Sequence, residues 1–195
     1  MDVPHGRSAR VDILLEGSLT STGGGVASSC TLIRDGDRTI VVDPGMAESA
    51  RSILDPLAAL GVRPEDVTDV VLSHHHPDHT MHAGQFPNAA VHDHWAIYRG
   101  TQWEDSECDG RVLTQSVWLA RTPGHTAQDL AVVAGTAEGL VVCTHSWFTA
   151  DSAAEDEDPE DAEQLRASRG SILEIADLIV PGHGAAFRPS ESTPR

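Results

Sequence analysis

Four side chains able to ligate a metal, His74, His76, Asp78 and His79, fall within six positions directly after the apolar run Val70-Val71-Leu72 and Ser73. Alternate side chains of a strand share one face, so a strand running out through Ser73 lets His74 and His76 converge on one point. Pro77 restricts the residue before it and turns the chain, presenting Asp78 and His79 to a second, neighbouring point. Imidazole nitrogens and carboxylate oxygens are donors that zinc and iron accept. The chain is thereby constrained to bring a strand end to a metal. The bland alternative, a solvated histidine-rich loop, has to be weighed against what lies downstream.

Two further histidines stand in matching contexts. Thr122-Pro123-Gly124-His125-Thr126 follows the strand-like Val117–Arg121, and Val180-Pro181-Gly182-His183-Gly184 follows Asp177-Leu178-Ile179. In each, a glycine frees the backbone to aim the following imidazole back toward the strand ends. Histidines at three strand ends point to one metal centre at one sheet edge.

From about Val11 to Phe187 the chain resembles the metallo-β-lactamase superfamily, and within it the small single-domain members. The resemblance rests on His74–His79, on the two Pro-Gly-His segments, and on Asp43 in Ile40-Val41-Val42-Asp43-Pro44-Gly45. It implies an α/β fold, a four-layer αββα sandwich with mixed, mostly antiparallel sheets, over residues 10–188, flanked by flexible tails at 1–9 and 189–195. It further implies His74, His76 and His125 on a first metal, Asp78, His79 and His183 on a second, and Asp43 supporting the ligands from behind.

One departure from the family stands out. Most dinuclear members carry a carboxylate bridging both metals, at the end of the strand that here reads Gly139-Leu140-Val141-Val142-Cys143-Thr144. Aligned on Phe148, the family's Gly-Asp is His145-Ser146. Ser146 is tolerated, as in one β-lactamase subclass, or His145 replaces the missing ligand, or the second metal binds weakly; Asp151 is the nearest carboxylate a shifted loop supplies.

The chemistry implied is hydrolysis of a small ester, lactone, thioester or phosphodiester by a hydroxide formed on zinc, with Asp78 orienting the nucleophile and shuttling its proton. Two zinc ions are the expected cofactors. The alternative is a mononuclear Fe2+ dioxygenase that oxidises persulfides, as some relatives use a single iron held by two histidines and an aspartate.

The remaining sequence sets outer limits. At 195 residues the chain is long enough for one domain with a sizeable core. It has no run of about twenty apolar residues for a membrane span. Its start lacks the apolar segment of a secretory signal. Cys30, Cys108 and Cys143 are odd in number and form no Cys-x-x-Cys pair, which favours reduced thiols and a cytoplasmic location. The formal charge of -17, with no lysine, disfavours long nucleic acid as a partner and leaves a small-molecule substrate.

Along the chain, strands are expected at 10–16, 27–34, 38–42, 68–73, 89–92, 112–113, 117–121, 130–134, 140–144 and 178–180. Helices are expected at 47–60 and 159–176, with a helical turn capped by Asp93 through Tyr98. Residues 17–25 read as a mobile loop. The acidic stretch 151–163 reads as a solvated approach to a helix N-terminus or as a lid. His75, His82, His92 and His94 read as structural or exposed, Cys143 as a small buried hydrophobe, and Trp95, Trp103 and Trp147 as core or as pocket lining.

Overall fold

The apolar runs form strands whose pairing builds two facing sheets. The computed structural model describes residues 5–20, 25–152 and 159–195. In chain order the strands are β1 (Arg10–Leu15), β2 (Ser18–Leu19), β3 (Val26–Ala27), β4 (Cys30–Asp35), β5 (Arg38–Val42), β6 (Asp69–Val71), β7 (Ala90–His92), β8 (Ala96–Arg99), β9 (Gln102–Asp105), β10 (Val117–Arg121), β11 (Leu130–Thr136), β12 (Gly139–Cys143) and β13 (Leu178–Val180). The α-helices are α1 (Arg51–Ala59), α2 (Pro77–Thr80) and α3 (Ala162–Leu173). One sheet has the order β1-β4-β5-β6-β7-β8-β9 and the other β10-β11-β12-β13, while β2 and β3 pair as a separate ribbon.

The period-two pattern assigns each strand residue to a layer. Ile40, Val42 and Val71 of the first sheet meet Leu119, Val132, Val141 and Val180 of the second in the central core. Val41 and Val70 face the other way and pack on Ile53 and Leu57 of α1. Val133 and Val142 face Ile172 of α3. The layers are therefore helix, sheet, sheet, helix, as the resemblance implies. Most strand pairs are antiparallel; β5-β6, β6-β7 and β12-β13 are parallel.

Those parallel pairs position the site. β5 and β6 run in one direction, so Asp43 and Ser73-His74 leave the first sheet at the same edge. β12 and β13 also run together, and β10, antiparallel to β11, shares their direction, so His125, His145 and His183 leave the second sheet at one edge. Leu130 N donates to Ser73 O at 2.9 Å and ties the two edges together.

Several local expectations are corrected. After Asp93 the chain forms the hairpin β8-β9 rather than a helical turn: Asp93 Oδ1 does accept from Trp95 N and Ala96 N, but Gly100 at φ 58° turns the chain into a paired strand. Helix α1 starts at Arg51, because the preceding segment is held against the histidine motif through Met46 N to Asp78 O, 2.9 Å. Helix α3 starts at Ala162, where Asp161 accepts from Glu163 N and Gln164 N as its cap. Ser18-Leu19, inside the stretch expected as a loop, pairs with Val26-Ala27 just beyond it, and residues 21–24 of that stretch lie outside the described residues. Residues 153–158 of the acidic stretch also lie outside them. Gly6 N bonds to Gln115 O and Ala9 N to Gly135 O, inside the segment expected as an N-terminal tail. No helix among the described residues is long and apolar enough to cross a membrane.

Candidate metal centre

Strand β6 ends at Val71, the chain runs on through Ser73 and His74, and His76 is extended at φ -65°, ψ 143° before Pro77 opens the single turn α2. That turn carries Asp78 and His79. The loops after β10, β12 and β13 add His125, His145 and His183, and the resulting donors form three overlapping clusters: His74-His76-His125, Asp78-His79-His183 and His74-His79-His145. Within each, one ligand atom per residue lies within 4.8 Å of the others.

The closest approaches suit a metal. His74 Nε2 is 3.0 Å from His76 Nδ1, and His125 Nε2 is 3.2 Å from the same atom. Asp78 Oδ2 is 3.4 Å from His79 Nε2 and 3.6 Å from His183 Nε2. Donors about 2.0–2.1 Å from a tetrahedral ion stand roughly 3.3 Å apart, so both sets are spaced to share one. His79 Nε2 is fully buried, makes no hydrogen bond of ordinary geometry, and has the Asp78 carboxylate before it. A buried nitrogen left in that state costs about 1–3 kcal/mol, which a cation would remove.

The outer contacts set which nitrogen faces inward. Asp43 Oδ2 accepts from His79 Nδ1 at 2.8 Å, and its Oδ1 accepts from Ser73 N at 2.7 Å. Ala27 O accepts from His183 Nδ1 at 3.0 Å. A proton on each Nδ1 leaves the lone pair on Nε2, pointing into the cluster. Asp43 adopts φ 50°, and Gly45 has no room for a Cβ against the Asp78 carbonyl oxygen. Asp43-Pro44-Gly45 is thus shaped to clasp the motif.

Burial pushes His74, His76, His145 and His183 below the usual histidine range, and for His74, His76 and His145 the neighbouring imidazoles add to the effect. These rings stay neutral, as ligands must. Burial also pulls His79 down, but Asp43 and Asp78 outweigh it and raise it to about 9. For Asp78, burial pulls upward while the neighbouring His79 prevails and takes it to about 2.

All the histidines singled out as ligands, with Asp43 and Asp78, therefore meet at one edge. His145 meets them as well; it is 2% exposed, and its Nε2 lies 3.0 Å from His183 Nε2. Ser146 does not point the same way. Its hydroxyl pairs with Thr144 Oγ1 at 3.1 Å and its carbonyl with Arg169 Nε at 2.6 Å. Asp151 is exposed and bonds locally to Thr149.

Of the other residues singled out in the sequence, His75 bonds to Asp93 at 3.0 Å, and His92 is structural, buried against Asp69 at 2.8 Å. Trp147 is core, Trp103 is 65% exposed, and Trp95 shares a surface cleft with His94, Cys108 and Arg121. Arg169, Ala27 and Glu160 escaped sequence reasoning. Glu160 Oε2 accepts from Ala127 N at 2.6 Å, and Glu160 N donates to His125 O at 3.1 Å, so the end of the acidic stretch braces the His125 loop.

A sequence profile of the metallo-β-lactamase superfamily matches residues 23–106. Metallo-β-lactamase domain-containing protein 1 of Xenopus laevis is 34% identical over 189 residues, covering 91% of this chain and 81% of that protein. Its Homo sapiens namesake is 40% identical over 163 residues, and the chain spans only 59% of its length. Among solved structures, a candidate metallo-β-lactamase from Thermotoga maritima superposes with a TM-score of 0.74 at 21% identity, over 94% of this chain and 100% of that one. An N-acyl homoserine lactone hydrolase, solved with N-hexanoyl-L-homoserine at its catalytic metal centre, superposes with 0.67 at 19% identity, over 93% of this chain and 94% of that one. Likeness at such identities speaks for the fold.

Proposed function

The chain belongs to the metallo-β-lactamase superfamily, and from that premise we propose that it is a zinc-dependent hydrolase with two metals, acting on a small ester, lactone, thioester or phosphodiester. The observation that carries the reading is the pair of donor sets, His74-His76-His125 and Asp78-His79-His183, each gathered within 4.8 Å at one sheet edge. Three histidine donors would leave one position of a tetrahedral ion unfilled by protein, as in catalytic sites. These residues would hold a divalent ion, whose chemistry when bound would be to lower the pKa of water toward neutrality and to polarise the bond to be split.

The protein's own groups do the rest. Asp43 and the Ala27 carbonyl keep the His79 and His183 lone pairs facing inward. Asp78, held ionised from about pH 2 upward, faces His79 and His183 through Oδ2. Its carboxylate is the group placed to take the nucleophile's proton and return it to the leaving group. His76 is exposed, so substrate enters from its side, whereas His74, His79 and His183 form the buried floor.

A panel of lactone, thioester, phosphodiester and β-lactam compounds tests this. Hydrolysis of at least one class, abolished by chelation and restored by zinc, is expected; failure across the panel with zinc-loaded protein would refute it.

A further inference from the structure

His145 occupies ground that neither donor set uses. Its ring centroid lies 4.6 Å from that of His74, 4.7 Å from His79, 4.2 Å from His125 and 5.0 Å from His183, which puts it between the two sets. It is buried, its Nδ1 has no hydrogen-bond partner among the described residues, and its Nε2 lies 3.0 Å from the Nε2 of His183. Because His183 gives its Nδ1 proton to Ala27 O, the His183 Nε2 offers a lone pair toward His145. Two imidazole nitrogens 3.0 Å apart have the spacing of neighbouring ligands on one ion.

The backbone holds the ring there. Ser146 N donates to Thr144 Oγ1 at 3.1 Å, and the buried Arg169 fixes the Ser146 carbonyl. Gly182 N donates to Trp147 O at 2.9 Å, and a Cβ on Gly182 would stand 2.5 Å from His145 Cδ2. The loop after β13 is glycine where the His145 ring needs the space.

Resting on the two-metal reading above, we propose that His145 is a further ligand, joining Asp78, His79 and His183 on the second metal through Nε2 and standing where most relatives carry a bridging carboxylate. Its ring lies beside two members of each set, His74 and His125 of the first and His79 and His183 of the second, and the nitrogen it approaches at ligand spacing, His183 Nε2 at 3.0 Å, belongs to the second. A neutral imidazole has one lone pair and so serves one metal. Asp78, His79, His183 and His145 would then supply the second metal with four protein donors, three nitrogens and one oxygen, whereas His74, His76 and His125 would offer the first metal three and leave it free to supply the hydrolytic chemistry. A nitrogen-rich set of this kind favours zinc over magnesium, calcium or manganese.

Cobalt substitution tests the assignment without reference to activity. Metal stoichiometry and the visible absorption of Co2+ are followed in the wild-type chain and in the His145→Ala, His183→Ala and His125→Ala variants, each first compared with wild type by circular dichroism in the metal-free state. The wild-type chain binds two cobalt ions, one with the intense absorption of a tetrahedral closed site. His145→Ala weakens the same ion that His183→Ala weakens, by more than the roughly 10–100-fold that supporting partners contribute, and leaves the ion that depends on His125. His145→Asp restores the lost ion. Should His145→Ala not fold, His145→Gln keeps the volume and is expected to lose the same ion. Two ions with unchanged spectra in the His145 variants would overturn the role of His145 and leave the two-metal reading standing, as would loss of the His125-dependent ion in the sense that the assignment to the second metal is then wrong. A wild-type chain that binds no cobalt would overturn both.

Discussion

Replacing Asp43 by asparagine removes one charge and almost no volume from the back of the site. Asparagine tolerates the left-handed backbone, φ 50°, that Asp43 adopts. Its amide oxygen can still accept from Ser73 N, as Oδ1 does at 2.7 Å. Opposite His79 Nδ1, now 2.8 Å from Oδ2, an amide NH2 sets donor against donor. His79 relieves the clash by shifting its proton to Nε2, the nitrogen that faces Asp78. Supporting partners of this kind are worth about 10–100-fold in metal affinity, or about 1.4–2.7 kcal/mol. The metal-free protein gives a second readout. There burial lowers His79, yet Asp43 and Asp78 prevail and raise it from the ordinary 6.5 to about 9. The folded value is the higher one, so the charged histidine stabilises the fold fully below about pH 6.5, and that contribution is lost as pH rises through about 9. A shift of this size corresponds to about 3 kcal/mol, with Asp43 the largest of the raising influences. Urea unfolding of chelator-treated protein from pH 6 to 9.5 and zinc competition against a chromogenic chelator measure the two effects. The wild-type chain should lose stability across that range, and the asparagine variant should begin lower and change less. An unchanged zinc affinity together with an unchanged pH profile would refute the role given to Asp43.

Three further substitutions probe separate layers. Gly45→Ala drives a Cβ into the Asp78 carbonyl oxygen and the Ser28 hydroxyl; metal content should fall while the far-ultraviolet circular dichroism keeps its wild-type shape. Leu57→Ala empties a fully buried position between α1 and the first sheet and should cost about 2–5 kcal/mol in urea unfolding, with metal stoichiometry unchanged below the transition. Arg169→Met removes the donor to the buried Ser146 carbonyl and the cation 5.5 Å over the Trp147 ring. It should cost about 1–3 kcal/mol and weaken the metal that depends on His183, whereas an effect on stability alone would show that Arg169 does not position His145.

The strands and the site were largely legible because both are written in short-range patterns. Val41 and Val42, or Val132 and Val133, point to opposite layers by strand alternation alone, and the histidines follow strands at fixed offsets. Hairpin β8-β9 was not legible: Asp93 caps a turn whether a helix or a strand follows, and only the pairing with Gln102–Asp105 decides. The true starts of α1 and α3 depend on distant contacts, Met46 with Asp78 and Asp161 with Gly124. The same holds at the bridging position. Aligning on Phe148 set Ser146 opposite the expected carboxylate, but Thr144 and Arg169 hold the serine away and turn His145 inward. No sequence signal marks Arg169 as buried, since its partners are a backbone carbonyl and an indole face supplied by another segment.

The most direct test of the dinuclear hydrolase is elemental analysis of the chain purified without added metal, read beside its turnover. About two zinc ions per chain, with hydrolysis lost on chelation and regained on zinc addition, is the predicted result. One iron per chain, with oxygen consumed on a persulfide and no hydrolysis, would contradict it.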